Sequence, residues 1–371
     1  MNRRAFLLGT GAAALATPAL AQGSSPMRYS ALALQTVCDA VNQDSSVEDA
    51  RARMDRAINR VRGQIGSAKG FLKGFNGYDV KLVVLPEYWM TGFPLGESRE
   101  EWQDKAAIPM DGAIPDKLAG LAQALGVYLC SNHYENDEKF PDLYFQSNVI
   151  YGPNGDTVLR YRRMISLYTP SPYDVWDKYL DAYGEDAVFP VADTEIGVLG
   201  SIASEEILYP EIARMQAFKG AEIFCHPTSE VGAPTLTPKH ITKKARAIEN
   251  IAYVVSANSA EIIGTPVPSA STDGMSIVLD WYGRTLAEAN QGETLNANAV
   301  LDIGALRETR RKTGMTNTLS RLPNAAFASA YGQANHAPAN RTPNAQMIER
   351  KDAIAQQQAV IDRLVESGVL K

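Results

Sequence analysis

Short apolar segments alternate with amphipathic segments along most of the chain. The apolar segments carry runs such as "VKLVV" and "AYVVSA" without polar alternation, which is typical of strands buried on both faces. The segment 46–70 instead places Val47, Ala50, Met54 and Ile58 near helical spacing. This alternation predicts an α/β fold with parallel strands and crossover helices.

The same pattern predicts two similar halves, each with strands, crossover helices and a closing hairpin. We expect two sheets packed face to face with the helices outside. The predicted strands cover 29–37, 80–87, 127–135, 195–203, 221–227 and 251–258; the hairpins cover 147–163 and 275–289; the helices cover 46–70, 115–126 and 238–250, with one more directly after Ser204.

The C-terminal part of the chain has a different character. The segment 323–346 is rich in loop-forming residues and is predicted to be an extended arm. The segment 347–369 is predicted to be an amphipathic helix that packs on its own core or on a neighbouring subunit. Its apolar positions are Met347, Ile354, Ile361 and Leu364.

The N-terminus has the features of an export signal. Arg3 and Arg4 precede an apolar run that ends in the small-residue pattern Ala-Leu-Ala at 19–21. We therefore predict a twin-arginine signal peptide over 1–21, a mature chain from Gln22 and a periplasmic location, with a membrane anchor or an apolar tail as the alternative. The predicted division is then 1–21, a main domain over 22–322, and an arm with a C-terminal helix over 323–371.

Composition excludes several classes of function. The formal net charge is −6, and no long basic run is present, so we expect no nucleic-acid partner. Beyond the N-terminus no apolar stretch is long enough to span a membrane. The four histidines are scattered without ligand spacing, so neither a metal nor a cofactor is predicted. The three cysteines, Cys38, Cys130 and Cys225, are either buried small residues or leave one unpaired beside a single bridge.

Two polar positions follow predicted buried strands. Glu87 comes directly after the strand ending in Leu85 and Pro86, and Ser204 begins a strand-to-helix turn with Glu205. Ligand sites of α/β folds lie at the carboxyl ends of strands, so Glu87 is a candidate site residue rather than only a surface acid. Hydrolases often mount a nucleophile on such a turn, which makes Ser204 the second candidate.

Four stretches together resemble the carbon–nitrogen hydrolase (nitrilase) superfamily, most closely its aliphatic-amidase-like and carbamoylase-like branches. They are "LVVLPEYWMTGFP", "LRYRRMISLYTP", "GVLGSIASEEILYPEIARMQAFKGAEIFCHPT" and "KKARAIENIAYVVSANSA". The resemblance covers about residues 28–320. It implies a four-layer αββα sandwich and assembly into homodimers or larger homo-oligomers, for which the C-terminal helix is a plausible exchanged element.

The resemblance assigns catalytic roles residue by residue. The family's base glutamate falls on Glu87, and its supporting glutamate falls on Glu135, with Glu138 as the alternative. Its catalytic lysine falls on Arg163, and its nucleophilic cysteine falls on Ser204. Tyr88, Trp89, Glu205 and His226 are the candidate substrate-binding residues.

The two replacements change the chemistry in different ways. An arginine at 163 keeps the positive charge but is larger and planar. A serine hydroxyl at 204 is a far weaker acid than a thiol, and normally needs a histidine base. His226 or His133 could supply that base or be structural imidazoles, and Cys225 could be a relocated thiol nucleophile.

The sequence leaves two main functions open. The first is an exported hydrolase of a small amide in which Glu87, Arg163 and Ser204 replace the usual Glu-Lys-Cys set, with Glu135 orienting them. The second is a catalytically inactive homologue that binds a small amide or carboxylate, or acts as a structural partner. Acyl transfer to an amine is a third possibility. The tyrosine-rich segment 167–191 is interpreted either as a lid over the site or as an ordinary surface excursion.

Overall fold

The computed structural model describes residues 27–272, 274–334, 336–342, 344 and 349–371. The predicted signal peptide over 1–21, the expected start of the mature chain at Gln22 and the apolar position Met347 lie outside the described residues.

The described residues form two large sheets, a small two-stranded sheet and a set of helices. The strands are β1 (Arg28–Ala33), β2 (Cys38–Asp39), β3 (Val80–Val84), β4 (Ala107–Pro109), β5 (Tyr128–Asn136), β6 (Tyr144–Tyr151), β7 (Thr157–Arg162), β8 (Ala192–Thr194), β9 (Gly197–Ser201), β10 (Ile223–Pro227), β11 (Tyr253–Ala257), β12 (Ile262–Ile263), β13 (Ile277–Leu279), β14 (Thr285–Glu288) and β15 (Asn298–Asp302). The α-helices are α1 (Val47–Asn76), α2 (Arg99–Ala106), α3 (Ala113–Leu125), α4 (Trp176–Tyr183), α5 (Pro210–Phe218), α6 (Pro238–Asn250), α7 (Ile303–Arg311), α8 (Asn324–Gln333) and α9 (Arg350–Glu366).

The two large sheets are built on the same plan. The first has the strand order β15-β1-β3-β5-β6-β7, with β4 also paired to β5, and the second has the order β14-β13-β11-β10-β9-β8. Their central strands are parallel, β1 with β3 and β5, and β10 with β9 and β11, and antiparallel strands extend each edge. The two similar halves predicted from the sequence are therefore confirmed.

Successive residues of β3 show how the layers form. Leu82 and Val84 belong to the apolar core between the two sheets, whereas Val83 belongs to the core under α1 and α3. Side chains along a strand alternate between its faces, so a strand covered on both faces is apolar over most of its length, and in β3 the exception is the partly exposed Lys81 near its start. With α5 packed on the second sheet, this gives the four-layer αββα sandwich expected from the resemblance.

The three cysteines are buried and free, so the interpretation as small buried residues is confirmed within the described chain. Cys225 packs in the core between the sheets, and Cys130 lies 3.9 Å from Ser201 Oγ across it. Burial raises the pKa of Cys38 to about 12. No thiol is placed to replace Ser204 as a nucleophile.

Among the described residues, no helix combines the length and apolar character needed to cross a membrane.

The C-terminal segment differs from its prediction. The extended arm predicted over 323–346 is wrong where α8 (Asn324–Gln333) forms, because its alanine-rich sequence has high helix propensity. The predicted helix over 347–369 contains α9, of which Ala353 is the buried residue. Ile354 and Ile361 of α9 are exposed, so the described chain does not cover the predicted apolar face.

Candidate active site

The candidate site lies where the carboxyl ends of strands from both sheets meet. Glu87 follows β3 of the first sheet, and Ser204 follows β9 of the second sheet. The backbone N–H of Glu87 donates to the carbonyl oxygen of Thr228, which follows β10, at 3.2 Å. The side chains of Glu87 and Ser204 are both almost completely buried.

Ser204 begins a 3-10 turn in a backbone conformation that L-residues seldom adopt. Its φ is +48°, in the left-handed region, and the turn runs from Ser204 to Leu208 before α5 begins. Such a conformation in a non-glycine residue costs about 1–3 kcal/mol and is often found at functional sites. The turn therefore stores backbone strain at the position that the sequence suggested for a nucleophile.

His226 holds this turn through the main chain of Ser204. Its Nε2 lies 2.9 Å from the carbonyl oxygen of Ser204, and its Nδ1 lies 2.8 Å from Ser256 Oγ. Because a carbonyl oxygen only accepts, Nε2 carries the proton and Nδ1 accepts from the Ser256 hydroxyl. Burial, with a smaller contribution from the charge of Lys243, lowers the pKa of His226 to about 3. His226 is a neutral donor to the backbone and not a base for the Ser204 hydroxyl.

His133 lies away from the Ser204 turn. Its Nε2 lies 3.3 Å from the hydroxyl of Tyr151, and burial lowers the pKa of its imidazole to about 3. The hypothesis that a histidine activates Ser204 therefore finds no support in the position of His226 or His133.

Glu87 and Arg163 form a buried ion pair. Arg163 Nη1 lies 3.2 Å from Glu87 Oε1, and Gln146 Nε2 donates to the same oxygen at 2.7 Å. Arg163 also donates to Gln146 Oε1 at 2.6 Å, to the carbonyl oxygen of Ile165 at 2.8 Å, and to the carboxylate of Glu205. The structure thus brings together three of the predicted residues, Glu87, Arg163 and Glu205.

The second oxygen of Glu87 has a different environment. Glu87 Oε2 is buried and accepts no hydrogen bond from the described residues. A buried acceptor without a partner is costly, and such atoms are rare in folded proteins. A bound ligand that donates an N–H or O–H group would satisfy this oxygen.

Glu135 is bound to other partners. It accepts hydrogen bonds from Arg162 and Ser147, and the side chain of Arg160 lies 3.4 Å away. Arg162 and Arg163 are consecutive residues at the end of an extended strand, so their side chains point to opposite sides. Glu135 is therefore separated from the Glu87–Arg163 pair, and the alternative residue Glu138 is exposed in the turn after β5.

The aromatic residues after Glu87 occupy two different environments. Tyr88 lies close enough to Glu87 and Arg163 for their charges to act on its hydroxyl, and burial raises its pKa. Trp89 is fully buried in the core under α1 and α3, where its Nε1 donates to Ser131 Oγ at 2.9 Å. Tyr88 can contribute to the site, whereas Trp89 is a core residue.

Lys239 is a member of the site that the sequence analysis did not select. It lies in the first turn of α6, and its Nζ is 3.4 Å from Ser204 Oγ and 2.8 Å from the carbonyl oxygen of Ser229. Burial lowers the pKa of Lys239, although Glu87 and Glu230 attract its charge. A sequence signal did exist, because a lysine at the start of a helix opposes the preference of the helix dipole for acidic residues there.

Glu206 ties the Ser204 turn to the segment that carries Arg163. Its carboxylate accepts from the backbone N–H groups of Ala203, Met164 and Ile165, and also from the hydroxyl of Tyr161. Burial raises the pKa of Glu206 to about 7, while Arg163 and the hydrogen bonds act in the opposite direction. Neither Glu206 nor Gln146 could be found from spacing, because their partners are distant in the sequence.

The tyrosine-rich segment 167–191 packs beside the site. Tyr179 lies in a cluster with Phe140 and Phe145, and the guanidinium of Arg162 lies 4.4 Å from the ring centre of Tyr183. These contacts are on the Glu135 side of the sheet. The part of the segment around Tyr179 thus forms its own small core, whereas Leu167, Ser171 and Tyr173 line a cavity next to Glu205.

A cavity of about 440 Å³ adjoins the site at Glu205. Its walls come from the segment after β7, from Tyr209 and from the C-terminal part of the chain, including Pro338 and Val360. No group of three or more residues with metal-ligating side chains was found in the described part of the chain.

Comparison with known proteins places this architecture in one family. The carbon-nitrogen hydrolase family model matches residues 41–311. A protein of Pyrococcus abyssi named nitrilase is 30% identical over 214 residues, which cover 57% of this chain and 74% of the relative. The omega-amidase NIT3 of Saccharomyces cerevisiae is 24% identical over 241 residues, which cover 64% of this chain and 80% of the relative.

Solved structures agree in fold. The carbon-nitrogen hydrolase of Helicobacter pylori superposes with a TM-score of 0.62 at 21% identity, covering 82% of this chain and 98% of that one. The chain belongs to the carbon–nitrogen hydrolase family, whose relatives include amidases and nitrilases. The membership of this superfamily that the sequence predicted is confirmed.

Proposed function

We propose that this protein hydrolyses the carbon–nitrogen bond of a small amide, with Ser204 as the nucleophile. The observation that carries the proposal is the conformation of Ser204. This buried residue has a left-handed backbone conformation and lies at the carboxyl edge of the sheet. Family membership supports the reaction class, and the yeast relative named as an omega-amidase supports an amide as the substrate.

The arrangement suggests how an amide would be held. Glu87 Oε2 lacks a partner among the described residues, so it can accept an N–H of the substrate. Arg163 directs four of its five N–H groups at acceptors within the described chain, which leaves one on Nη2 for the oxygen of the reacting carbonyl. A positive donor facing that oxygen stabilises the negative charge that develops during attack.

The proposed reaction has two stages. Ser204 Oγ forms a bond to the amide carbon, the carbon–nitrogen bond breaks, and ammonia or an amine leaves. Water then attacks the ester on Ser204, which releases a carboxylic acid and restores the hydroxyl. The cavity beside Glu205 offers a route for small substrates.

A catalytically inactive homologue that binds a small ligand remains the second candidate. The observation that favours it is the buried position of Arg163, whose single positive charge bridges the carboxylates of Glu87 and Glu205. In that case the ion pairs would maintain the site without chemistry.

Ammonia release from a panel of short aliphatic and aromatic amides separates the two candidates. The native protein is compared with Ser204→Ala and Ser204→Cys. Turnover that disappears in Ser204→Ala supports the serine mechanism, whereas turnover that persists in it contradicts that mechanism. A silent native protein together with an active Ser204→Cys variant supports an intact pocket that has lost its nucleophile.

The twin-arginine pattern at Arg3 and Arg4 supports export, and we propose a periplasmic location for the protein. Fractionation of the producing cell, with detection of the cleaved N-terminus, tests this location.

A further inference from the structure

Lys239 and Lys243 lie one turn apart on α6 but have different partners. Lys243 Nζ lies 2.7 Å from Glu230 Oε1, and both side chains are buried. The other oxygen of Glu230 accepts from the Thr237 hydroxyl at 2.6 Å. Lys239 has no carboxylate within 4 Å among the described residues. Glu230 is therefore paired with Lys243, and Lys239 lies beside Ser204 without a carboxylate partner of its own.

Three oxygen atoms surround Lys239 Nζ. A neutral lysine has two N–H donors and one lone pair. Two acceptors lie near Nζ, the carbonyl oxygen of Ser229 at 2.8 Å and Thr228 Oγ1 at 3.5 Å. The third neighbour is the hydroxyl of Ser204 at 3.4 Å, to which an ammonium would donate and from which a neutral amine would accept. This separation is longer than a strong hydrogen bond, as is common for catalytic pairs before substrate binds.

The surroundings of Lys239 disfavour its ammonium form. Thr237 caps α6 and Pro238 follows it, so Lys239 is the second residue of the helix, where the dipole is positive. Burial acts in the same direction and lowers the pKa of Lys239. The charges of Lys243 and Arg163 also disfavour a further cation, whereas those of Glu87 and Glu230 oppose this effect.

The other candidate bases are engaged elsewhere. Glu87 Oε1 is held by Arg163 and Gln146, and its Oε2 is the acceptor assigned above to an N–H group of the substrate. His226 donates to the Ser204 carbonyl oxygen through Nε2, and its Nδ1 is occupied by Ser256.

We propose that Lys239 is the general base and acid that activates Ser204. The inference rests on the proposed function. As Ser204 Oγ bonds to the amide carbon, its proton passes to Lys239 Nζ and the carbonyl electrons move onto oxygen. When the intermediate collapses, the carbon–nitrogen bond breaks and Nζ returns the proton to the leaving nitrogen. In the second stage Nζ takes a proton from water and returns it to Ser204 Oγ.

Two variants distinguish a base from a positive charge. Lys239→Met removes both the base and the charge, whereas Lys239→Arg keeps a charge that cannot act as a base. If Lys239 is the general base, both variants lower kcat on the best amide by about 10²–10⁴-fold with little change in KM. The acidic limb of the kcat/KM pH profile, which reports the free lysine, is lost in both. Near-native activity of Lys239→Arg would overturn the proposal, because charge alone would then suffice.

Lys244→Met is the matched control, because Lys244 is exposed on the same helix. It should retain native activity. Thermal unfolding of both Lys239 variants is measured alongside, because Lys239→Arg places a permanent cation where burial and the charge of Lys243 disfavour one, and activities are compared at a temperature at which each variant is folded.

A second measurement does not depend on amide turnover. Phenylmethanesulfonyl fluoride reacts with an activated serine, whose oxygen displaces fluoride from sulfur while the base takes the proton. We expect labelling of Ser204, detected by mass spectrometry, at a rate that rises with pH and falls at least about 10²-fold in Lys239→Met. If amides are not turned over but this labelling pattern holds, the amidase proposal fails and the role of Lys239 stands. If Ser204 is unlabelled in the native protein, or labelled equally in Lys239→Met, the role of Lys239 is refuted.

Discussion

His226 donates a hydrogen bond to Ser204 at the main-chain carbonyl oxygen, 2.9 Å from Nε2, and not at the hydroxyl. This relationship distinguishes the site from a serine–histidine pair, in which the imidazole takes the hydroxyl proton. Here the imidazole stabilises the strained turn that presents the hydroxyl. Proton transfer then has to involve another group, and Lys239 Nζ is 3.4 Å from Ser204 Oγ.

The first prediction concerns the pH dependence that His226 gives to stability. Its pKa is lowered to about 3 in the folded protein, from an ordinary value of 6.5, so the folded state binds fewer protons between these values. Stability from His226 is therefore present above about pH 6.5 and is lost as the pH falls towards 3. Urea denaturation of the native protein and His226→Gln between pH 7 and 4 measures this difference. A stability difference that stays constant over this range would contradict the buried neutral imidazole.

The second prediction concerns the ion pairs of Arg163. Arg163→Met leaves the buried Glu87 without its cation, and we expect the free energy of unfolding to fall by about 3–5 kcal/mol. Arg163→Lys keeps a charge but loses the fork that reaches several acceptors, so a smaller loss of about 1–3 kcal/mol is expected. Chemical denaturation measures both losses. Lys312→Met, which removes an exposed pair with Glu308, is the control and should leave the unfolding midpoint unchanged.

The third prediction couples the Lys243–Glu230 pair to Lys239. Lys243→Met removes a nearby positive charge and frees Glu230 to attract Lys239, so the pKa of Lys239 should rise. The acidic limb of the kcat/KM profile should then shift to higher pH. Breaking the buried pair should also lower the free energy of unfolding by about 3–5 kcal/mol. A destabilised variant with an unshifted pH profile would mean that the Lys243–Glu230 pair stabilises the fold without influencing the catalytic pKa.

The fourth prediction concerns Glu206 as a positioning residue. Glu206→Gln keeps the shape of the side chain but replaces one accepting oxygen by an N–H₂ donor. That donor then faces other donors, including the N–H groups of Met164 and Ala203. We expect kcat to fall while KM changes little, because the Ser204 turn loses its alignment with Arg163. Steady-state kinetics on the best amide, with unfolding monitored in parallel, tests this. A normal kcat in a destabilised variant would mean that Glu206 only stabilises the fold.

Most of the architecture could be predicted from the sequence. Apolar runs such as 80–84 and 253–257 have to be buried on both faces, and the helical spacing of Ala50, Met54 and Ile58 requires a helix beside them. The family resemblance also follows from local motifs. The arm containing α8 was predicted wrongly, because proline and asparagine around it masked the helix propensity of its alanines.

The sequence alone determined the strand edges that carry Glu87 and Ser204, because a strand and the turn after it are set by neighbouring residues. Only the tertiary structure decided which charged groups meet there. Glu135 and Glu87 both lie on the first half of the chain, yet the alternation of side chains at the end of β7 gives them different arginines. Lys239 reaches Ser204 from 35 residues away because α6 packs against that turn. Contacts between distant segments depend on how the layers pack, and no local pattern encodes them.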